Sequence, residues 1–165
     1  MIFAPENASF TEAAEAYRRV WVDEGPAIMA AMERTTGLSF IPTAITAIVY
    51  EGVSSSGDTD TPMRLRASYN ADTKQSALVH ELGHRLIAQL AVRPSDLDEH
   101  RVLFLFLYDV WESLWGREFA DRQVQFEKNL RGLYDYESAW NYAMSLTREQ
   151  RAARFAQIMS ANGRR

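Results

Sequence analysis

The sequence predicts an α+β protein that is mostly helical, with a small sheet preceding a motif-bearing helix. Residues 43–50 are rich in β-branched side chains and almost free of charge, which is typical of a buried strand. Residues 63–69 alternate apolar with polar side chains, as a strand with one wet face does. Beyond Asp72, apolar residues recur mainly at helical spacing, which favours helices for most of the remaining chain.

Size and composition limit the class of protein. The chain has 165 residues, of which 47% are hydrophobic and 24% charged, so we expect one globular domain over residues 1–165. No apolar run approaches the roughly 20 residues of a membrane-spanning helix, and the N-terminus lacks the pattern of a secretory signal. We therefore expect a soluble, cytoplasmic protein that does not associate with membranes.

The first half of the chain is predicted to supply a helical region and two strands. Apolar residues recur at helical spacing from Thr11 to Thr35, but Gly25-Pro26 interrupts them, so we expect two helices or one kinked helix. The strand over 43–50 suits the centre of the sheet. The strand over 63–69 suits an edge.

Helix boundaries are predicted from capping residues and from breakers. Asp72 or Thr73 is expected to cap the next helix, which should stop before Pro94. Ser95 is then expected to cap a very apolar helix that ends at Gly116. The remaining residues predict two or three amphipathic helices, separated at Gly132 and at residues 146–147.

A metal-binding pattern lies within the second predicted helix. His80, Glu81 and His84 form an H-E-x-x-H spacing, and residues four apart lie about 40° from each other around a helix. Both imidazoles therefore project from one face, where they can bind a single Zn²⁺. Glu81 lies one step around the helix, which suits a general base that takes a proton from an activated water.

The distribution of histidines argues against a chance match. The chain has three histidines, all between residues 80 and 100, and no cysteine. Since a catalytic zinc usually has three protein ligands and an open position, a third ligand is needed, and it has to be His, Asp or Glu. We expect His100 to supply it, with Glu99 as the alternative. Adjacent helical residues point about 100° apart, so only one of these two residues is expected to face the metal. The predicted cofactor is one zinc ion per chain.

Two further polar groups lie in the apolar helix after His100. Asp109 needs a partner if it is buried, and that partner is either the N–H of a ligand histidine or an arginine. Tyr108 is a candidate to polarise a substrate carbonyl, although an aromatic residue in such a helix is more often part of the core. The aromatic residues of the C-terminal helices are also open to two interpretations, core or partner surface: Tyr134, Tyr136, Trp140 and Tyr142.

The segment His80-Glu81-Leu82-Gly83-His84, followed by an apolar helix, resembles the zincin metallopeptidases. It is most similar to the minimal ImmA/IrrE-like and SprT-like groups. The resemblance implies that His80 and His84 are ligands, that Glu81 is the general base or acid, that a third ligand lies on the next helix, and that an edge strand receives an extended peptide. The chain departs from the metzincin pattern, since the positions of its later glycine and histidine hold Ile87 and Leu90.

The sequence therefore predicts a zinc-dependent hydrolase, specifically a peptidase, that acts on a peptide or protein substrate. The alternatives are a catalytically silent zincin-like domain that binds a metal or a protein, and a hydrolase of a non-peptide bond. Net charge is −4 and the lysines and arginines are scattered, so nucleic acid is not an expected partner. The sequence does not indicate an oligomeric state.

Overall fold

The computed structural model describes residues 1–57, 61–132 and 134–164. Within them the fold is α+β and mostly helical, as the sequence predicts. None of the described helices is both long enough and apolar enough to cross a bilayer. In chain order the elements are β1 (Ile2–Pro5), α1 (Thr11–Thr36), β2 (Thr46–Tyr50), β3 (Met63–Arg66), α2 (Ala71–Ile87), α3 (Glu99–Trp115), α4 (Arg117–Lys128), α5 (Tyr136–Met144) and α6 (Arg148–Ala161).

The sheet is parallel and has the strand order β1-β2-β3. Its register aligns Phe3 of β1 with Ala47 of β2, and Ala47 in turn with Met63 of β3. The predictions of a central strand and an edge strand are therefore confirmed. Strand β1, which supplies the opposite edge, is not among the strands predicted from the sequence.

Helix α1 is continuous through Pro26, so the alternative of two separate helices is wrong. Proline has no N–H to donate, and this leaves the carbonyl of Val22 without its helical partner. Val22 is 70% exposed, so water can reach this part of the helix and hydrate the carbonyl.

The described residues group into two compact units. The first comprises Met1–Ala30 and Ser39–Ala88, and the second comprises Ala31–Leu38 and Gln89–Arg165. In the first unit, the rings of Phe3 and Tyr17 stack with centroids 6.1 Å apart. Its buried side chains come from the sheet, from α1 and from α2: Phe3, Tyr17, Ala47, Val49, Met63, Leu65, Leu78 and Leu82.

The second unit is built around α3, which packs against α4, α5 and α6. Every residue of α3 from Val102 to Trp111 is buried, as its apolar sequence predicts. Phe104 stacks on Trp140 of α5 with ring centroids 3.9 Å apart, so Trp140 belongs to the core. Gly116 ends α3 with a φ of 84°, which confirms the predicted boundary.

The predicted caps of α2 and α3 are wrong by two to three residues. Asn70, not Asp72 or Thr73, caps α2, because its Oδ1 accepts the N–H of Thr73 at 2.9 Å. Asp98, not Ser95, caps α3, because its Oδ1 accepts the N–H of Arg101 at 2.9 Å. Each of these side chains satisfies one of the free N–H groups of a first helical turn.

Candidate metal centre

His80 and His84 lie one turn apart on α2 with their rings directed towards each other. Their Nε2 atoms are 3.1 Å apart, and their ring centroids are 5.0 Å apart with an angle of 50° between the planes. His80 is buried, with 5% of its surface exposed. The two nitrogens therefore converge on one small volume beside the helix.

The separation of these nitrogens fits a shared metal ion. Two nitrogens bound to zinc at about 2.0–2.1 Å with tetrahedral angles lie roughly 3.4 Å from each other. The observed 3.1 Å is close to that value, so small changes in side-chain torsion would bring both lone pairs onto one ion. Two nitrogen donors with no thiolate suit zinc, since imidazole is among its preferred ligands.

Glu81 is a buried carboxylate in the same helix. It is only 6% exposed, and its neighbours Leu78 and Leu82 are fully buried. The phenol of Tyr17 on α1 is close enough to sense its charge, because burial, together with Tyr69 and Glu81, raises the pKa of Tyr17 well above its usual range. Tyr17 consequently keeps its proton, which its hydroxyl donates to the carbonyl of Arg66 at 2.9 Å.

The start of α2 is fastened to the end of β3 by a buried lysine. Lys74 Nζ donates to the carbonyl of Ala67 at 2.7 Å and also to the carbonyl of Tyr69. Burial lowers the pKa of Lys74, while the charge of Glu51 opposes that change. This link, which is not among the predictions from the sequence, holds the motif helix against the strand. A signal was available, because Lys74, Leu78 and Glu81 share one face of the helix at spacings of four and three residues.

His100 and Glu99, the two candidates for a third ligand, lie in the first turn of α3, in the second unit. Glu99 Oε2 accepts a hydrogen bond from Arg93 at 3.0 Å, and the two side chains are 40% and 35% exposed. His100 instead lies among aromatic rings of its own unit. Its ring stacks on Tyr134 with centroids 4.0 Å apart, and meets Tyr136 and Phe104 edge-on at 4.9 and 5.7 Å.

Asp109 and Tyr108 are both paired within the second unit. Arg151 donates to both carboxylate oxygens of Asp109, so of the two partners open to Asp109 the structure shows the arginine. The hydroxyl of Tyr108 donates to Asp121 at 2.9 Å. Burial and this hydrogen bond raise the pKa of Tyr108 to about 12.

Comparison with protein-family models, with curated proteins and with solved structures finds no match to this chain. The resemblance to zincins thus rests on the motif and its surroundings, and it stays a prediction.

Proposed function

We propose that this protein is a zinc-dependent hydrolase that cleaves peptide bonds. The observation that carries the proposal is the convergence of His80 Nε2 and His84 Nε2 at 3.1 Å, beside the buried carboxylate of Glu81. Burying a carboxylate beside two converging imidazoles costs stability, so the stability of the helix does not explain why Glu81 is buried there. A catalytic site that transfers protons does require a carboxylate at such a position.

His80 and His84 are two ligands of the proposed site, and the expectation from the sequence that His100 supplies the third is kept as part of the proposal. When bound there, zinc supplies Lewis-acid activation of water and of a substrate carbonyl. Glu99 is the weaker candidate for the third position because its carboxylate already pairs with Arg93. The rings packed around His100 restrict its rotation, which lowers the entropy lost when a ligand is fixed in place.

Glu81 is proposed as the group that moves the proton. Its carboxylate accepts a proton from the attacking water and passes it to the leaving amine of the cleaved bond. Burial of Glu81 strengthens that role, because electrostatic and hydrogen-bonding interactions are stronger where water is excluded. The proposal assigns no step to Asp109 or Tyr108, whose polar groups are occupied by Arg151 and Asp121.

The outer edge of β3 is the proposed binding place for an extended peptide. A peptide added to a sheet edge is held by main-chain hydrogen bonds, which suit a substrate whose backbone is to be cleaved. Strand β3 borders α2, since Lys74 links the two elements. A peptide lying on this edge would thus run next to the helix that carries His80 and Glu81.

The test is zinc content measured by mass spectrometry, together with cleavage of an unbiased peptide library. We expect about one zinc per chain in the wild type and much less in His80→Ala and in His84→Ala. We also expect cleavage that a zinc chelator abolishes and added zinc restores. A wild-type chain that takes up no zinc when supplied with it would refute the proposal, while bound zinc without cleavage would favour a catalytically silent metal-binding domain.

A further inference from the structure

The outer edge of β3 is covered by a segment of the same chain. The N–H of Arg64 donates to the carbonyl of Ser55 at 2.8 Å, and the carbonyl of Arg64 accepts the N–H of Ser55 at 3.0 Å. These two bonds form an antiparallel bridge between Ser55 and β3. The N–H of Arg66 donates to the hydroxyl of Ser54 at 3.2 Å. Residues 52–56, here called the covering segment, therefore lie where a peptide added to β3 would lie.

Every main-chain group that Arg64 and Arg66 direct outward has a hydrogen-bond partner, and all of these partners but one belong to the covering segment. In a parallel strand, alternate residues direct both their N–H and their C=O to the same side. Ala67 donates to Tyr50 of β2, so Arg64 and Arg66 direct theirs away from β2. The last of these groups, the carbonyl of Arg66, accepts the hydroxyl of Tyr17. Pairing of a peptide with this edge thus requires the covering segment to move.

Arg85 fastens the covering segment to the motif helix. Its Nε donates to the carbonyl of Ser56 and its Nη2 donates to the carbonyl of Thr61, both at 2.8 Å. Arg85 directly follows His84 in α2. A second arginine, Arg66, donates from Nε to the carbonyl of Gly52 at 2.8 Å. The segment is held at both ends, and one of its fastenings starts beside a proposed zinc ligand.

The covering segment is held by hydrogen bonds rather than by apolar burial. Val53 is 62% exposed and Ser55 is also exposed, so moving the segment would expose little apolar surface. An incoming peptide can replace the two main-chain hydrogen bonds between Ser55 and Arg64, each of which contributes only about 1 kcal/mol net. It does not replace the side-chain bonds from Arg66 and Arg85, so these bonds bias the edge towards the covering segment.

We propose that the covering segment competes with the substrate for the edge of β3 and that Arg85 sets how strongly it competes. This inference rests on the proposed function for its catalytic consequence. A substrate would be an extended peptide that runs antiparallel to β3, as the covering segment does. The segment thereby acts as an internal inhibitor, and loosening it opens the site.

Two variants loosen the segment from different sides. Ser55→Pro removes the N–H that donates to Arg64, and its matched control, Ser55→Ala, keeps that N–H. Arg85→Ala removes the bond from α2 to Ser56 of the segment, together with the bond to Thr61 beyond it, and the exposed Arg19→Ala on α1 is its control. Amide hydrogen exchange at Arg64 reports whether the edge opens. We expect at least tenfold faster exchange in Ser55→Pro and in Arg85→Ala, and rates near wild type in both controls.

Binding is measured with a labelled peptide, YEGVSSSG, which copies residues 50–57, and cleavage is measured on a peptide library. We expect the two loosened variants to bind the labelled peptide at least fivefold more tightly than wild type, and to show a lower KM with kcat unchanged. Affinity for the labelled peptide within twofold of wild type in both variants would overturn the inference, as would unchanged exchange at Arg64. Tighter binding without cleavage by any zinc-loaded variant would instead refute the hydrolase proposal and leave the competition for the β3 edge established.

Discussion

Arg151 on α6 forms a two-pronged ion pair with Asp109 on α3. Nε of Arg151 lies 3.1 Å from Oδ2 of Asp109, and Nη2 of Arg151 lies 2.6 Å from Oδ1. Both side chains are only 5% exposed. A buried carboxylate is stable only when its charge is paired and its oxygens accept hydrogen bonds. The pair thus explains how a charge is accommodated in the most apolar helix of the second unit.

Removing one member of this pair should destabilise the fold. Asp109→Ala leaves the buried Arg151 guanidinium without its carboxylate, so we expect a loss of about 3–5 kcal/mol in the free energy of unfolding. The control is Asp96→Ala, which breaks an exposed pair with Arg154 and should cost less than about 1 kcal/mol. Urea unfolding measures both. A loss below about 1 kcal/mol in Asp109→Ala would contradict this account of the pair.

Tyr108 should affect stability at high pH rather than catalysis. Its folded pKa of about 12 exceeds the ordinary value near 10, so the unfolded chain loses the proton first as the pH rises. The stability that Tyr108 contributes is therefore complete below about pH 10 and is lost between about pH 10 and 12. We expect the difference in unfolding free energy between wild type and Tyr108→Phe to shrink over that range. Peptide cleavage by Tyr108→Phe at neutral pH should stay within about twofold of wild type. A hundredfold loss of cleavage would show that Tyr108 takes part in catalysis.

The elements that the sequence predicts best are those whose signal is local and repeated. Apolar periodicity predicts helix α2, and the glycine at position 116 predicts the end of α3. Strand β1 is not predicted from the sequence because it has only four residues, ends in Pro5, and pairs with β2 only after the chain has passed through α1. Its formation depends on tertiary contacts, such as the stacking of Phe3 on Tyr17, that no short window of sequence contains.

The candidate site also has features that the sequence predicts and features that it does not. The spacing of His80, Glu81 and His84 in a helix predicts their common face, because helical geometry is fixed. The fastening of α2 by Lys74 and the covering of β3 by residues 52–56 both involve main-chain carbonyls. Every residue carries such a group, so the residue types do not reveal which carbonyl is used. Contacts of this kind require the structure.

The cap of α2 shows the same limit and can be tested. Asn70, Asp72 and Thr73 all have side chains that cap helices, so residue type alone leaves the start of α2 open. Asn70→Ala should lower the free energy of unfolding by about 1 kcal/mol, because the N–H of Thr73 loses its acceptor. Asn70→Asp retains an acceptor oxygen and should restore most of that stability. Equal losses in the two variants would argue against the cap, and thermal or urea unfolding measures both.

The third zinc ligand can be identified by paired substitutions in the first turn of α3. We expect His100→Ala to weaken zinc binding at least tenfold, and Glu99→Ala to leave it within about twofold of wild type. The reason is that the Glu99 carboxylate is paired with Arg93. Chelator competition measures the affinity, and circular dichroism checks that both variants fold. The reverse pattern would make Glu99 the ligand, and full affinity in both variants would remove α3 from the site.

Glu81→Gln is the most direct test of the chemistry. Glutamine has nearly the shape of glutamate but cannot accept the proton, so kcat/KM for peptide cleavage should fall by about 10²–10⁴-fold. Zinc content should stay near one per chain, because Glu81 is not a proposed ligand. Glu137→Gln, an exposed residue in the first turn of α5, serves as the matched control and should keep wild-type activity. Cleavage by Glu81→Gln at the wild-type rate would show that another group moves the proton, whereas loss of zinc together with activity would show that Glu81 holds the site together.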